Sequence, residues 1–257
     1  MLGLGNSVIS GSYSAWSPTE VSGLSLWLKA GTNITSDEND AGGSIDHSTA
    51  NGDMVDSDRI NAWNGVSPTT INAVQTTSAD KPRWESDIAD LGGLNFKANS
   101  KFMTLSSNVT LSGVFTIVLY IRPNDLSGTK TIISLDDNEF FQFNSNKLIR
   151  LKVDNNTIDF AESSDTIPTD SYVTLILTRD DSDQWNLFVK GDSVYTTEQN
   201  WGDADQTVTG GDGVFTVSNL GARDPESNNF NGFIKDFIIY NGTALNSAER
   251  AEVYSYL

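Results

Sequence analysis

Three carboxylates fall within six residues at Glu85-Ser86-Asp87-Ile88-Ala89-Asp90. On a strand, residues two apart share a face, so Glu85 and Asp87 would point the same way. Two carboxyl groups held about 5 Å apart can serve as nucleophile and general acid in glycoside hydrolysis. Ser86 weakens the strand pattern, and the run sits between Pro82 and Leu94, so a solvated acidic loop is the favoured reading. Nucleophilic catalysis finds less support. His47 is the single histidine, no Gly-x-Ser-x-Gly elbow precedes a helix, and there is no cysteine. Thiol chemistry, disulfides, cysteine-bound zinc and multi-histidine metal sites are therefore excluded. The expectation is a protein that is not an enzyme.

Hard oxygen ligands offer a second chemistry. Asp136, Asp137, Asn138 and Glu139 form one dense acidic turn, and Asp180, Asp181 and Asp183 form another. The stretch from Gly31 to Asp58 holds seven acids and no Lys or Arg. Such sets suit Ca²⁺, although none follows the EF-hand spacing. The 136–139 turn is the favoured calcium site, and no other cofactor is expected. Saccharide binding would need aromatic faces beside polar groups. Trp201 in Gln199-Asn200-Trp201-Gly202-Asp203 fits best, and Trp63 and Trp84 also lie near loops; Trp27 and Trp185 sit within strand patterns and read as core.

The whole chain sets limits on partners. Its 16 Lys and Arg against 34 Asp and Glu leave a formal charge of −18 over 257 residues. That field repels nucleic acid and anionic lipid. No stretch approaches the roughly 20 apolar residues of a membrane span. The start, Met1 to Ser10, lacks a basic n-region and a long apolar core, so it does not read as a secretory signal.

The elements that must position these residues are short strands. Candidates fall at 24–28, 94–96, 102–105, 114–122, 131–135, 140–143, 148–153, 157–160, 172–179, 185–190, 193–197, 214–220 and 233–240. They are rich in β-branched and aromatic residues and divided by Gly, Asn, Asp and Pro. Many short strands with little helical periodicity indicate an all-β sandwich or jelly roll of two antiparallel sheets. Val189-Lys190-Gly191-Asp192-Ser193-Val194 reads as a tight hairpin in which Gly191 supplies a positive φ. Asn246 with Glu249 makes a capping-box pattern. Val253, Tyr256 and Leu257 then give one apolar stripe for a short terminal helix. Residues 1–23 read as an arm with docking potential, and 24–257 as one domain.

Placed in order, these motifs resemble laminin-G-like, concanavalin A-like lectin domains. The matching pieces are Leu24-Ser25-Leu26-Trp27-Leu28-Lys29-Ala30, Ala62-Trp63-Asn64, Lys81-Pro82 with Gly93-Leu94-Asn95-Phe96, and Phe115 to Pro123. Tyr172 to Asp180, Leu187 to Gly191 and the closing 232–257 segment complete the set. The resemblance implies a concanavalin A-like jelly roll, and it extends to laminarinase-type hydrolases whose Glu-x-Asp-x-x-Glu motif the 85–90 run nearly matches. The Met-Leu-Gly-Leu-Gly-Asn-Ser start and the Asn/Asp/Ser/Thr/Gly richness also resemble virion structural proteins of marine, cyanophage-like tailed viruses. The expected function is a non-catalytic phage structural module, as decoration or fibre, located on the virion. Its expected partners are other virion proteins, met through the arm, and host glycans, with homo-oligomers compatible. The alternative is a secreted or surface lectin, and a glycoside hydrolase ranks third.

Overall fold

The computed structural model describes residues 16–37, 45–47, 58–85, 93–97, 100–145, 148–154, 156–160, 167–201, 213–223 and 227–257. Two antiparallel sheets face each other. The front sheet runs, in spatial order, Leu24–Lys29, Gly232–Asn241, Phe115–Pro123, Val173–Arg179, Trp185–Gly191 and Gln199–Asn200. The back sheet runs Ala73–Val74, Met103–Leu111, Phe215–Leu220, Lys130–Ser134, Phe140–Phe143, Ile149–Val153 and Asn156–Phe160. A side wall of Ile34–Asp37, Ile45–His47, Arg59–Trp63, Arg83–Glu85 and Gly93–Asn95 joins them. Arg59–Trp63 pairs with Ala73–Val74, and Gly93–Asn95 pairs with the start of Gly232–Asn241.

Strand alternation explains where the core sits. Leu26 and Leu28 point between the sheets, with Ile117, Leu119, Leu175 and Leu177 from neighbouring strands. Phe141, Phe143, Phe215 and Val217 meet them from the back sheet. Trp27, Val118, Ile176, Ile238 and Tyr240 point the other way, onto the outer face. That face would be wet without a cover. The helix Ser247–Tyr256 supplies Val253, and the segments before it and before the first strand add Leu245 and Val21. Burial of each such aliphatic side chain stabilises by ~1.5–3 kcal/mol. Asn246 caps the helix: its side chain accepts from Ala248 N and Glu249 N, while Glu249 Oε2 accepts from Asn246 N at 2.8 Å.

Several expectations change. The described part of the expected arm lies on the sandwich, with Pro18 buried, the Tyr240 hydroxyl donating to Pro18 O and Trp16 edge-on to Tyr256 at 5.8 Å. Residues 1–15 lie outside the described residues. The strand expected at 102–105 runs from Met103 to Leu111, because Thr104, Ser106 and Thr110 are exposed polar residues alternating with buried apolar ones. No strand covers 193–197; the edge strand is Gln199–Asn200. Gly191 does not supply the positive φ of its hairpin, which falls on Tyr195 at 59°. Glycine is needed there because Val194 O occupies the place of a Cβ.

Candidate functional site

The terminal helix leaves a groove where it meets the edge of the front sheet. Arg250 lies one turn before Val253 and reaches across to Glu198 through two parallel bonds, Nε to Oε2 at 2.8 Å and Nη2 to Oε1 at 2.9 Å. Its Nη1 donates to Leu245 O at 2.9 Å, and the guanidinium stands 3.6 Å from the Phe188 ring centroid. A guanidinium held by a bidentate carboxylate and a ring face is fixed in orientation. This clamp ties the 198–200 edge to the helix.

Beside the clamp is a cavity of ≈ 330 Å³, lined by Lys190, Thr196, Thr197, Glu198, Ser247 and Tyr254, with Ala251 as an apolar patch. Its size falls at the lower end of the roughly 300–1,000 Å³ typical of small-ligand sites. Thr196 and Thr197 are exposed at its lip. The Lys190 ammonium lies 4.8 Å from the Tyr254 ring centroid. Burial pushes the Glu198 carboxyl up, but the Arg250 bonds and charge, aided by Tyr254 and Lys190, hold it below the usual range. Glu198 is therefore an anion at neutral pH. Burial, and then the Glu198 charge, push the Tyr254 phenol above its usual value. It stays protonated, with its hydroxyl buried beside Glu198 rather than at the open surface. The groove thus offers an ammonium, an aromatic ring and three hydroxyls beside one carboxylate, a set suited to a ligand rich in hydroxyl groups. Among the described residues that line it, Glu198 is the one acid, so they offer no paired carboxylates.

Farther along the same outer face, Asp236 is 3% exposed. Burial pushes its carboxyl up to about 7, against the lowering influence of Lys29 and Lys235. The Lys235 ammonium stands 5.3 Å from the Tyr120 ring and 5.9 Å from the Tyr172 ring, and Tyr120 donates to Asp192 Oδ2 at 3.1 Å.

The residues expected from sequence do not meet in one place. Trp63 and Trp84 are sealed in the core at 0% and 3% exposure, so neither presents a ring face to a sugar. Trp201 is 8% exposed and packs edge-on against Tyr195 at 5.4 Å, covering the sandwich edge. In the 136–139 turn, Asp136 Oδ1 accepts from Asn138 N at 2.6 Å and Glu139 N at 3.2 Å. Asp137 pairs with Arg223 at 3.0 Å, and Glu139 Oε2 accepts from Thr216 N at 2.5 Å. Asp136, Asp137 and Glu139 thus each have a bond within the fold, and no group of three or more His, Cys, Asp or Glu side chains that could hold a metal occurs among the described residues. Glu85 accepts from the Asn95 side-chain amide, while Asp87 and Asp90 lie outside the described residues. His47 lies on a short side-wall strand. Sequence reasoning missed the groove because Glu198 and Arg250 are 52 residues apart, a distance no local pattern spans. The one available signal was Tyr254, an aromatic residue lying off the apolar stripe of the helix.

A laminin-G-type family model, described as the concanavalin A-like lectin/glucanases superfamily, matches residues 96–249. No curated protein matches the chain in sequence. Among solved structures, a GH54 α-L-arabinofuranosidase is similar with a TM-score of 0.56 at 13% identity, over 88% of this chain and 62% of that one. A Trypanosoma rangeli sialidase in complex with 2,3-difluorosialic acid is similar with a TM-score of 0.52 at 14% identity, over 90% of this chain and 32% of the sialidase. The chain therefore spans about a third of the sialidase's length and less than two thirds of the arabinofuranosidase's.

Proposed function

Because this chain belongs to the concanavalin A-like lectin/glucanases superfamily, we propose that it is a non-catalytic carbohydrate-binding module whose ligand lies in the groove between the terminal helix and the 196–200 edge. The observation that carries this reading is the lining of that groove, where Lys190, Thr196, Thr197, Ser247 and Tyr254 surround a single ionised carboxylate. Hydroxyl-rich ligands are bound by convergent donors and acceptors of this kind. Glycoside hydrolysis needs two carboxyl groups, one of them protonated, about 5–9.5 Å apart. Glu198 is held as an anion by Arg250, so it serves as an acceptor and not as a general acid.

Carriage on a tailed-virus particle, with virion proteins as neighbours, belongs to the same proposal, and mass spectrometry of purified particles tests it. The binding reading is tested on a glycan array with the parent protein and with Thr197→Trp, which fills the lip of the groove. Binding by the parent and loss in the variant support it. An array silent for the parent, or equal binding by both proteins, overturns it.

A further inference from the structure

A second pocket lies far from the groove in the chain, and its chemistry is the opposite of the protein's overall charge. Arg83, Lys97 and Lys101 line a small cavity of ≈ 50 Å³ together with Asn95. We infer that this pocket binds an oxyanion group, a carboxylate or sulfate, carried by an acidic saccharide.

Three observations carry the inference. The first is concentration of charge: three of the 16 cationic side chains converge on one cavity in a chain of net charge −18. The general field repels anions, so attraction here is local. The second is construction. Asn95 is 8% exposed, its Oδ1 accepts from Lys97 N at 2.7 Å, and its Nδ2 donates to Glu85, which fixes the floor of the pocket. Lys97 stands 4.5 Å from the Phe233 ring centroid and Lys101 donates to Ala79 O, so two of the three ammonium or guanidinium stems are anchored. Neither Arg83 nor Lys97 makes an ion pair among the described residues. The third is cost. Arg83 lies directly opposite Arg59 on the neighbouring antiparallel strand, and like charges so placed are destabilising. An anion beside Arg83 would relieve that repulsion.

The volume selects the ligand. A cavity of ≈ 50 Å³ is far below the roughly 300–1,000 Å³ of sites that enclose a whole small molecule. It admits a single charged group and not a sugar ring, which would lie outside on the surface. Arginine suits the planar, two-oxygen face of such a group, and lysine adds a point charge.

The test is an NMR titration of the full chain with sodium sulfate against sodium chloride at equal ionic strength, followed through the Asn95 side-chain amide and the Lys97 backbone amide. The inference requires saturable shifts with sulfate alone, weakened at least about tenfold in Arg83→Gln and in Lys97→Gln. Linear shifts, equal shifts with chloride, or unchanged affinity in both variants would overturn it. A sulfated oligosaccharide and its desulfated form make the second arm. Tighter binding of the sulfated form than of inorganic sulfate assigns the group to a saccharide. Equal affinity for both limits the site to free anions and overturns that part. The Thr197→Trp variant should bind sulfate normally, which separates this pocket from the groove reading.

Discussion

The Asp136–Glu139 turn and the Glu198 groove both present carboxylates beside a strand of the sandwich, and they end differently. In the turn, each acid is satisfied by a near neighbour or a facing strand: Asp136 by backbone amides, Asp137 by Arg223, Glu139 by Thr216 N. In the groove, one acid is bound on one side by Arg250 and borders open space on the other. The difference shows that a dense run of acids can be taken up by separate bonds within the fold, whereas one acid clamped from one side can border a cavity on the other.

The largest effect expected from breaking this contrast is at the clamp. Arg250→Ala leaves Glu198 half-buried without its partner and removes the guanidinium from Phe188. Loss of one member of a buried pair costs ~3–5 kcal/mol, and partial exposure of Glu198 places this one near about 3 kcal/mol. Chemical denaturation should show that loss. A change under about 1 kcal/mol would mean that the helix is held by Val253 and Leu245 alone.

Asp236 extends the comparison to a carboxylate with poor compensation. Its folded value near 7 lies above its unfolded value of 3.8. Below pH 4 the group is protonated in both states and costs nothing. As pH rises from about 4 to 7 the unfolded chain ionises first, so stability is lost across that window and the penalty is complete above it. Asp236→Asn escapes the penalty. Its stability relative to the parent should rise from near zero at pH 4 to a gain on the order of a few kcal/mol at pH 8. Destabilisation by the same variant at pH 8 would instead mean that Lys29 and Lys235 bind the ionised form well.

The smallest effect belongs to the acidic turn. Asp136→Ala removes two acceptor bonds at an exposed site and should cost ~1 kcal/mol. Added Ca²⁺ should leave the Tm of the parent unchanged at constant ionic strength. A Ca²⁺-dependent rise lost in Asp136→Ala would show a metal site by mass action and reverse the contrast drawn between the two regions.

The scaffold was legible in the sequence where periodicity is local. Leu26 and Leu28 faced the core with Trp27 on the opposite side, although a register shift after Leu24 puts that residue with Trp27 on the outer face; Trp27 and Trp185 went to packed interiors, and Asn246 with Glu249 formed the capping box. The Met103–Leu111 strand was half missed, since Ser106, Ser107 and Asn108 look like a loop; all three are exposed where the pairing with Phe215–Leu220 is irregular. The tryptophans misled for a related reason: a residue beside a loop in sequence can still point inward, as Trp63 and Trp84 do. The groove and the cationic pocket were illegible because both join residues from separate elements, Glu198 with the helix and Arg83 with Lys97 and Lys101. Their cause is register and packing, which no short window of sequence contains. The 232–257 segment, whose sequence shows a capped helix with one apolar stripe, also supplies Ser247 and Tyr254 to the groove lining.

The most direct measurement is calorimetric titration of the best glycan from the array into the parent, Lys190→Ala and Thr197→Trp, with folding checked by near-UV circular dichroism. Glycan binding in the groove predicts a loss of at least about tenfold, or roughly 1.4 kcal/mol, in both variants with the fold intact. Affinities within twofold of the parent in both variants would place the ligand elsewhere and contradict it.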